Sequence, residues 1–364
     1  MKLRKNNLNK AFAFILILAL LLAGGCSRTK EANPEPSTKT RVVTDCVGRQ
    51  VKVPVTVNRI ACLCPESGYT LAMFGKGDKI VAVVGGLKRD VIFTSMYPAV
   101  KNLPVPKASS TINIEELVRT RPDVVFVKED TMRSQAEVQK LNISHIPFLV
   151  VKYNNIKEQQ LAVEMMGKVV GSEDKAAEYK TYYKKTVDLV QKRVAGIPQQ
   201  DRIKVYHSVN EATRTDAKGS LAADWTNVAG ADNVSVNQNL KQIEGNYFAS
   251  LEQILLWNPE VIFVNDPIVV KYIMGNNQWS SIKAVKNNRV IPLPDGISRW
   301  GHPSSPETPL VILWTASTLY PDKFKDIDMR AETKYFYKEF FSYNLSNEEI
   351  TKILSGVGMR ELRS

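Results

Sequence analysis

The pattern of apolar and polar residues repeats once along the chain. Residues 113–128 read NIEELVRTRPDVVFVK, and residues 250–265 read SLEQILLWNPEVIFVN. In each copy apolar residues recur at helical spacing, a proline follows, and a continuous Val/Ile/Phe run comes next. Proline ends a helix because it lacks an N–H, and the apolar run is typical of a strand buried on both faces of a parallel sheet. The pattern predicts a duplicated helix–strand unit, one copy in each of two similar lobes.

The two copies align without a gap, and the alignment pairs their acidic residues. Glu115 and Glu252 occupy the same position in the first turn of each predicted helix, where the helix dipole favours negative charge. Asp123 and Glu260 each follow the stop proline. Agreement along the whole copy favours a duplicated segment over a chance likeness between two ordinary helix–strand units.

A long helix is predicted between the two copies. Residues 173–195 carry apolar side chains at helical spacing after Ser172, a candidate N-cap, and before Gly196 and Pro198, which stop a helix. At 1.5 Å per residue this helix would be ~35 Å long. Strand and helix patterns alternate on either side of it. We therefore predict an α/β fold of two Rossmann-like lobes with parallel sheets, joined by one long rigid helix.

The first residues have the order of an export signal. Four cations precede residues 11–22, an apolar run too short to span a bilayer comfortably, and small residues then lead to Cys26. This order resembles a bacterial lipobox, which implies cleavage before Cys26 and lipid on its thiol and new amino group. An ordinary signal peptide is the alternative. Residues 27–41 are polar, with two prolines and no apolar periodicity, as in a flexible tether.

These patterns predict the division of the chain into segments and a location at a membrane surface. The predicted organisation is a signal peptide at 1–25, a lipidated N-terminus and tether at 26–41, an N-terminal α/β lobe at 42–170, a linking helix at 171–197 and a C-terminal α/β lobe at 198–364. The formal charge of +12 falls to about +8 without the four signal-peptide cations. That charge suits anionic lipid headgroups or a basic cleft for an anionic ligand. No nucleic-acid-binding motif occurs, so no nucleic-acid partner is expected.

Three further cysteines are present, Cys46, Cys62 and Cys64, and they could form a disulfide or remain free thiols. Cys62 and Cys64 would point to one face of a strand. An export compartment allows a disulfide from either of them to Cys46, and buried free thiols are the alternative. Without neighbouring histidines the three thiols are a poor zinc site.

Several short motifs follow one another from Val42 to the end of the chain. They are Thr44-Asp45-x-x-Gly48-Arg49-x-Val51-x-Val53-Pro54 with Arg59-Ile60, Leu71-x-x-Phe74-Gly75 with Asp78-Lys79-Ile80-Val81, both copies of the repeat, Ala229-Gly230-x-x-Asn233-Val234, Trp279-x-x-Ile282-x-Ala284-Val285, and Pro303-x-x-Pro306-Glu307-x-Pro309-Leu310 with Leu313-Trp314. Together they resemble the class III, or cluster A-II, substrate-binding proteins of bacterial ABC importers, which capture iron–siderophore complexes, haem, cobalamin or related metal complexes. The resemblance implies two α/β lobes joined by a long helix, an ABC permease dimer with its ATPase as partner, and no permanently bound cofactor.

The repeated acids have a counterpart in that family. A glutamate at the head of each lobe's repeated helix docks there against arginines of the permease dimer, and the matching residues here are Glu115 and Glu252. Paired acids, one in each similar lobe, also suit a two-fold partner with basic pockets. Compensation of the helix dipole alone is the alternative.

The candidate ligand-binding residues lie in loops after the predicted strands, because ligands of open α/β sheets bind beyond the carboxyl ends of the strands. Arg299 offers a fork for carboxylate or catecholate oxygens, Trp300 a flat face for a ring, and His302 a metal ligand. A core Trp300 and a capping His302 are the alternatives. The other candidates are Tyr69, Arg89, Tyr97, Arg214 and His207, the last also as a metal ligand; core packing or a solvated basic face are their alternative roles.

The leading functional prediction is a lipoprotein that captures a ferric siderophore or similar metal complex for an ABC importer, on the extracytoplasmic face of the cell membrane or in the periplasm. Haem and cobalamin are alternative ligands. Residues 94–98 resemble a segment of haem-binding members, but those usually carry a tyrosine just before the first repeat, where residues 105–108 read VPKA. Three scattered histidines disfavour a receptor for free zinc or manganese. A chelatase-like enzyme is also disfavoured, because no Gly-rich phosphate loop, HExxH or GxSxG motif occurs.

Overall fold

A computed structural model describes residues 39–361 of the chain. The predicted signal peptide and Cys26 lie outside these residues. Up to Val170 the elements are β1 (Thr40–Thr44), β2 (Gln50–Pro54), β3 (Ile60–Cys62), α1 (Pro65–Met73), β4 (Ile80–Ala82), α2 (Val91–Met96), β5 (Lys107–Ala108), β6 (Thr111–Ile112), α3 (Ile114–Arg119), β7 (Val124–Lys128), α4 (Gln135–Ile143), β8 (Phe148–Val151) and α5 (Ile156–Val170). They are followed by α6 (Glu173–Val194), β9 (Lys204–Ser208), β10 (Arg214–Thr215), α7 (Leu221–Val228), β11 (Asp232–Asn233), β12 (Lys241–Ile243), β13 (Asn246–Phe248), α8 (Leu251–Trp257), β14 (Val261–Val264), α9 (Pro267–Gly275), α10 (Lys283–Lys286), β15 (Val290–Pro292), α11 (Thr308–Leu319), α12 (Met329–Phe341) and α13 (Asn347–Ser355).

Two parallel four-stranded sheets form the centres of two lobes. The N-terminal lobe has the strand order β4–β3–β7–β8, and the C-terminal lobe has β11–β9–β14–β15. If the four strands of each sheet are numbered by their order along the chain, both sheets have the spatial order 2-1-3-4. The apolar run of β7 is buried on both faces, since Val124 and Phe126 pack into one core and Val125 and Val127 into another. The predicted α/β fold with two similar lobes is confirmed.

The two copies of the repeat end their helices in the same way. Arg121 and Asn258 both have φ of 46°, one residue before Pro122 and Pro259. A left-handed residue closes the last helical turn, and the proline after it cannot continue the helix. The turn from helix to strand is thus equivalent in both lobes.

The acids after the prolines also have the same role in each lobe. The Asp123 carboxylate accepts backbone hydrogen bonds from Asn58 at 2.7 Å and Arg59 at 2.9 Å, directly before β3. The Glu260 carboxylate accepts one from Lys204, the first residue of β9, at 3.1 Å. Each acid thus satisfies backbone donors at the amino end of the neighbouring strand. The shared acid in the sequence reflects this shared structural task.

The long helix α6 is packed between the lobes. Its buried residues are Ala176, Tyr179, Tyr183, Thr186, Val190 and Val194. The Tyr183 hydroxyl donates to the Gln159 side chain of α5 at 2.9 Å, and the Tyr179 hydroxyl donates to the Pro306 carbonyl ahead of α11 at 2.7 Å. The helix is therefore held by both lobes. One continuous apolar core includes residues of both sheets and of α6, which favours small movements of the lobes over wide hinge opening.

Each repeated helix is preceded by a hairpin that the sequence pattern did not reveal. Strands β5 and β6 pair antiparallel before α3, and β12 and β13 pair antiparallel before α8. In the C-terminal lobe β10 extends this hairpin to three strands. The strands have two or three residues each, too short to show an alternating pattern. The hairpins place residues Lys107 and Arg214 beside the carboxyl edges of the main sheets.

Candidate ligand-binding cleft

The binding loop, residues 293–307 between β15 and α11, follows the last strand of the C-terminal sheet. Its backbone folds back on itself, and the Trp300 N–H donates to the Pro294 carbonyl at 3.0 Å. Gly301 has φ of 75°, and a Cβ there would lie 2.9 Å from the indole of Trp225. Only glycine suits both this backbone conformation and this close approach. The loop therefore presents Arg299 and His302 from a fixed base.

The carboxylate of Glu307 holds the binding loop from below. It accepts hydrogen bonds from the Ser298 N–H at 3.0 Å, the Ser298 hydroxyl at 2.7 Å and the Trp300 indole N–H at 2.8 Å. The Tyr337 hydroxyl donates to the same carboxylate. Burial raises the pKa of Glu307 to about 7, and these hydrogen bonds oppose the rise. Glu307 thus joins the loop to α12.

Trp300 lies in the core in this structure. Its side chain is 0% exposed, and its ring nitrogen is bound to Glu307. No face of the indole is open for stacking on a ligand ring. The alternative role considered from the sequence, core packing, describes this placement, because a large apolar side chain gains most by leaving water. Trp300 supports the loop that carries Arg299.

His302 is a neutral, partly exposed histidine of the binding loop. Its Nδ1 accepts from the Ser304 N–H at 3.4 Å and lies 2.8 Å from the Ser304 hydroxyl. This arrangement leaves the proton on Nε2, which then acts as a donor. Burial holds the pKa of His302 well below its usual value, and nearby cations add to the effect, namely Arg299, Lys128, Arg360 and Arg214. A donor ring among cations suits an anion better than a metal ion.

The guanidinium groups of Arg299 and Arg360 lie close enough to interact electrostatically. Arg299 is partly buried and donates to the side chain of Asn210. Burial lowers the pKa of Arg299, and the charge of Arg360 lowers it further. Burial raises the pKa of Asp295, and the charge of Arg299 opposes this rise. Like charges held this close repel one another, so a bound anion would relieve the repulsion.

Tyr69 lies beneath these cations, in contact with a buried acid. Its hydroxyl donates to Asp90 at 2.5 Å, and Arg360 forms an ion pair with the other oxygen of Asp90. Burial raises the pKa of Asp90, while Arg360 and Tyr69 oppose the rise. The Tyr69 ring packs edge-on against Phe93 with centroids 5.9 Å apart. Tyr69 therefore orients Asp90 from the floor of the cleft and is itself 3% exposed.

Asp295 is a second buried acid of the cleft. Burial raises its pKa to about 7, the nearby charge of Asp90 raises it further, and Arg360 and Arg299 oppose the rise. Its Oδ1 atom is buried and has no hydrogen-bond partner among residues 39–361. A carboxyl group that is partly protonated near neutral pH compensates less of the surrounding positive charge. The cleft therefore keeps an excess of cations.

Lys128 extends the cationic group to the end of the repeated strand β7. Its ammonium lies 4.0 Å from the Glu66 carboxylate. The charge of Glu66 raises the pKa of Lys128, and burial opposes this rise. Lys128 also lines a cavity of about 310 Å³ together with Lys107, Ser109, Asp130 and the backbone of Gly85 and Gly86. This cavity adjoins the cationic group because Lys128 belongs to both.

The remaining candidates have varied surroundings. Arg214 is half-buried on β10, and burial lowers its pKa. Arg89 directly precedes Asp90, and its charge opposes the rise that burial causes in the pKa of that acid. His207 is 1% exposed and lies 2.6 Å from the Asp216 carboxylate through Nδ1, with Nε2 also buried. Tyr97 packs over Gly77 and donates to the Ala72 carbonyl at 3.5 Å. The charge of Arg89 acts on Asp90 and that of Arg214 on His302, whereas Tyr97 and His207 are packing residues. His207 has no open metal-binding position.

Comparison with known proteins agrees with this architecture. A sequence model of the Periplasmic binding protein family matches residues 60–296, which is more than half of the chain.

The chain belongs to the Periplasmic binding protein family.

Three relatives indicate what kind of binding protein it is. The molybdate-binding protein MolA of Haemophilus influenzae is 27% identical over 84% of this chain and 93% of its own length; its molybdate-bound structure matches with a TM-score of 0.75. The ABC transporter substrate-binding lipoprotein YvrC of Bacillus subtilis, whose name calls it uncharacterized, is 25% identical over 86% of this chain and 98% of its own length. A periplasmic solute-binding protein of Veillonella parvula is 30% identical, with a TM-score of 0.74 over 87% of this chain and 97% of that one. This chain is likewise a substrate-binding protein of an ABC importer and not an enzyme.

The two acids predicted to dock on the permease are exposed in this binding protein. Glu115 and Glu252 lie in the first turns of α3 and α8. Each helix leads into the amino end of a parallel strand, so its own first turn lies at the carboxyl edge of the sheet. Backbone N–H groups at the start of α8 lower the pKa of Glu252. Both carboxylates are thus at the carboxyl edges of the sheets, where ligands of open α/β folds usually bind.

The cysteines of this binding protein do not form the disulfide that the sequence allowed. Cys46, Cys62 and Cys64 are free thiols. Burial raises the pKa of Cys46 to about 11 and that of Cys62 to about 12, so both are unreactive at neutral pH. Among residues 39–361, no group of three or more His, Cys, Asp or Glu side chains is placed to hold a metal ion. Within the same residues no helix has the length and apolar character required to cross a membrane.

Several cleft residues escaped the sequence analysis for different reasons. Asp90 and Asp295 lie in loops after predicted strands, but a single acid in a loop carries no signal of its own. Lys128 ends the repeated strand and aligns with an asparagine in the other copy. Arg360 lies in the C-terminal tail, remote in sequence from every sheet strand. Only the folded chain brings these four residues together.

Proposed function

We propose that this binding protein captures a compact, multiply charged anion in the cleft and delivers it to an ABC permease. The observation that carries the proposal is the convergence of cations on His302, namely Arg214, Arg299, Arg360 and Lys128. Guanidinium groups bind oxyanions through paired hydrogen bonds, and these bonds strengthen where water is largely excluded. The partly protonated Asp295 leaves part of this charge without compensation.

The first candidate ligand is a tetrahedral oxyanion of the molybdate kind. The relative MolA is named a molybdate-binding protein. The cavity of about 310 Å³ next to the cations is at the small end of the usual range for ligand pockets. A compact anion suits these dimensions better than haem or a corrinoid does. The N–H of His302 would add a neutral donor to the guanidinium forks.

The second candidate is an anionic ferric siderophore, the ligand class that the family resemblance implies. Its catecholate or hydroxamate oxygens are acceptors for the same arginines, and the iron would stay inside the chelator. This chemistry requires no metal ligand from the protein, in agreement with the neutral, donating His302. A siderophore would project from the small cavity into the space between the lobes.

We also propose that the mature chain is a lipoprotein anchored through Cys26. The apolar segment and small residues before Cys26 support this lipid anchor, and the predicted tether ahead of β1 would let the lobes reach the permease. The predicted domain limits at 42–170, 171–197 and 198–364 belong to the same proposal. Mass spectrometry of the N-terminal peptide from membranes tests it; an unmodified Cys26 would contradict it.

Ligand identity can be tested on the natively purified chain. Native mass spectrometry and elemental analysis are expected to find a retained anion that contains molybdenum, tungsten or iron. Calorimetric titration with molybdate, a ferric trishydroxamate, a ferric tris-catecholate, haem and cobalamin then ranks the candidates. Binding of haem or cobalamin with exclusion of every other probe would overturn the proposal of a compact anion.

Replacement of Arg299 tests the cleft directly. Arg299→Ala is expected to weaken binding of the best probe by roughly 10- to 100-fold, because a buried guanidinium–anion contact contributes about 1.5–3 kcal/mol. Arg289→Ala is the matched control, since Arg289 precedes β15 at the opposite edge of the same sheet. Calorimetry of both variants measures the effect. Equal dissociation constants for wild type and Arg299→Ala would place the ligand elsewhere.

A further inference from the structure

The C-terminal strap, residues 356–361, leaves the C-terminal lobe after α13 and pairs with the N-terminal lobe. The Val91 N–H donates to the Met359 carbonyl at 3.2 Å, and the Glu361 N–H donates to the Arg89 carbonyl at 2.8 Å. Between these two bonds Asp90 and Arg360 form an antiparallel bridge. The strap is therefore a short added strand on the segment that carries Asp90.

Side chains fix the strap on both sides of this bridge. Met359 is 2% exposed and belongs to the main core. The Glu361 carboxylate lies 3.0 Å from the ammonium of Lys101. At the other end Gly356 has φ of 69°, and a Cβ there would lie 2.3 Å from the Leu293 carbonyl at the start of the binding loop. The strap thus connects the base of the binding loop with the opposite lobe.

The strap delivers the guanidinium of Arg360 into the cleft. Arg360 pairs with Asp90 and also donates to the Gly86 carbonyl at 3.3 Å. Gly86 lines the cavity that Lys128 also lines. The charge of Arg360 acts on Arg299, Asp295 and His302, all of the binding loop. One guanidinium therefore faces the ligand space from each lobe.

We infer that Arg360 is an anion-binding residue that sets the preference of the cleft for multiply charged anions. This inference rests on the proposed function. Arg299 and Arg360 repel one another across the cleft, and an anion between them gains from both charges. A dianion gains about twice the Coulomb energy of a monoanion of the same shape. Because Arg360 keeps its bond to Gly86 and its contact with Asp90, it can turn one N–H group toward the ligand without leaving the strap.

Two tetrahedral oxyanions of similar size test the charge preference. Molybdate carries two negative charges and perrhenate one, and a ferric tris-catecholate serves as a larger, highly charged probe. The wild-type chain is expected to bind the more highly charged probes best. In Arg360→Gln the affinity for molybdate or for the ferric complex should fall roughly 10- to 100-fold, and the preference over perrhenate should narrow. Arg289→Gln is the matched control.

Further variants separate ligand contact from a structural role. Arg360→Gln leaves the buried Asp90 without its cation, so Asp90→Asn/Arg360→Gln removes both charges and restores a neutral pair. Slow hydrogen exchange of the Val91 amide checks that the strap is still seated. If Arg360 binds the anion, the double variant stays weak; recovery of wild-type affinity would overturn the inference.

The outcomes also distinguish this inference from the proposed function. If the wild-type chain binds none of the three probes, the compact-anion function fails and the inference fails with it. If the wild-type chain binds one of them and Arg360→Gln binds it equally well, the inference alone fails. Arg360→Lys keeps the positive charge but loses the paired donors of the guanidinium. An anion affinity between those of wild type and Arg360→Gln therefore supports a bidentate contact.

Discussion

Reversal of both charges in Glu115→Arg/Glu252→Arg is expected to abolish uptake and to leave ligand affinity unchanged. Both carboxylates are exposed at the carboxyl edges of their sheets, one in each lobe. Charge pairing with a two-fold permease would then be replaced by repulsion at two points, which costs several kcal/mol in total at an interface. Neither residue contacts the cations of the cleft, so the binding reaction should not change.

The measurement separates docking from capture. Uptake of radiolabelled or metal-quantified ligand is compared in cells that carry wild type or the double variant, and calorimetry gives the affinity of each purified chain. Glu178→Arg/Glu339→Arg is the matched control, because these exposed acids of α6 and α12 lie away from the sheet edges. Each single variant should retain partial uptake. Normal transport by the double variant would remove Glu115 and Glu252 from the docking surface.

Removal of the Glu307 carboxylate is expected to destabilise the chain by about 3–5 kcal/mol, the largest stability effect of any single change considered. Glu307→Ala leaves the Ser298 N–H, the Trp300 indole N–H and the Tyr337 hydroxyl without an acceptor in a buried site. It also leaves a cavity under the binding loop. Chemical denaturation measures the loss, and faster hydrogen exchange of the binding loop should accompany it.

The matched variant Glu307→Gln keeps the shape of the side chain and removes its ionisable carboxyl group. The pKa of Glu307 in the folded chain is about 7, against an ordinary value of 4.5. A raised acid pKa means that the folded state holds the proton more tightly, so this stability is full below pH 4.5 and is lost as pH rises through 7. The loss integrates to roughly 3 kcal/mol. Glu307→Gln should flatten the pH dependence between these limits, and the raised pKa values of Asp295 and Asp90 account for the dependence that remains. An unchanged pH profile would show that Glu307 is ionised throughout.

Local sequence was sufficient for the repeated elements. The strands β7 and β14 are continuous apolar runs, and such runs are buried wherever helices cover both faces of a sheet. The helices α3 and α8 start at polar caps and end before prolines, because caps and prolines act on the nearest backbone atoms. Helix α6 begins and ends within one residue of its predicted limits. These features follow from interactions over a few residues, so one sequence carries them.

The loops that form the candidate cleft follow from the predicted strands, but the direction of their side chains does not. Ligands bind beyond the carboxyl ends of parallel strands, and the loops 85–97 and 295–302 supply Asp90, Asp295 and Arg299. Which side chain of a loop faces the ligand depends on its backbone turns. In the binding loop Trp300 turns into the core toward Glu307 while Arg299 turns out. Neighbouring residues thus have opposite roles, and composition does not distinguish them.

The sequence by itself determined the two α/β lobes, their duplication and the connecting helix. Hydrophobic period, caps and stop residues are local, and they act in the same way in both copies. Tertiary structure alone decided the charge of the cleft. Arg360, Asp90 and Arg299 are separated by many residues along the chain and meet only when the strap crosses from one lobe to the other. Electrostatic energy depends on distance in space and on burial, and a linear sequence records neither.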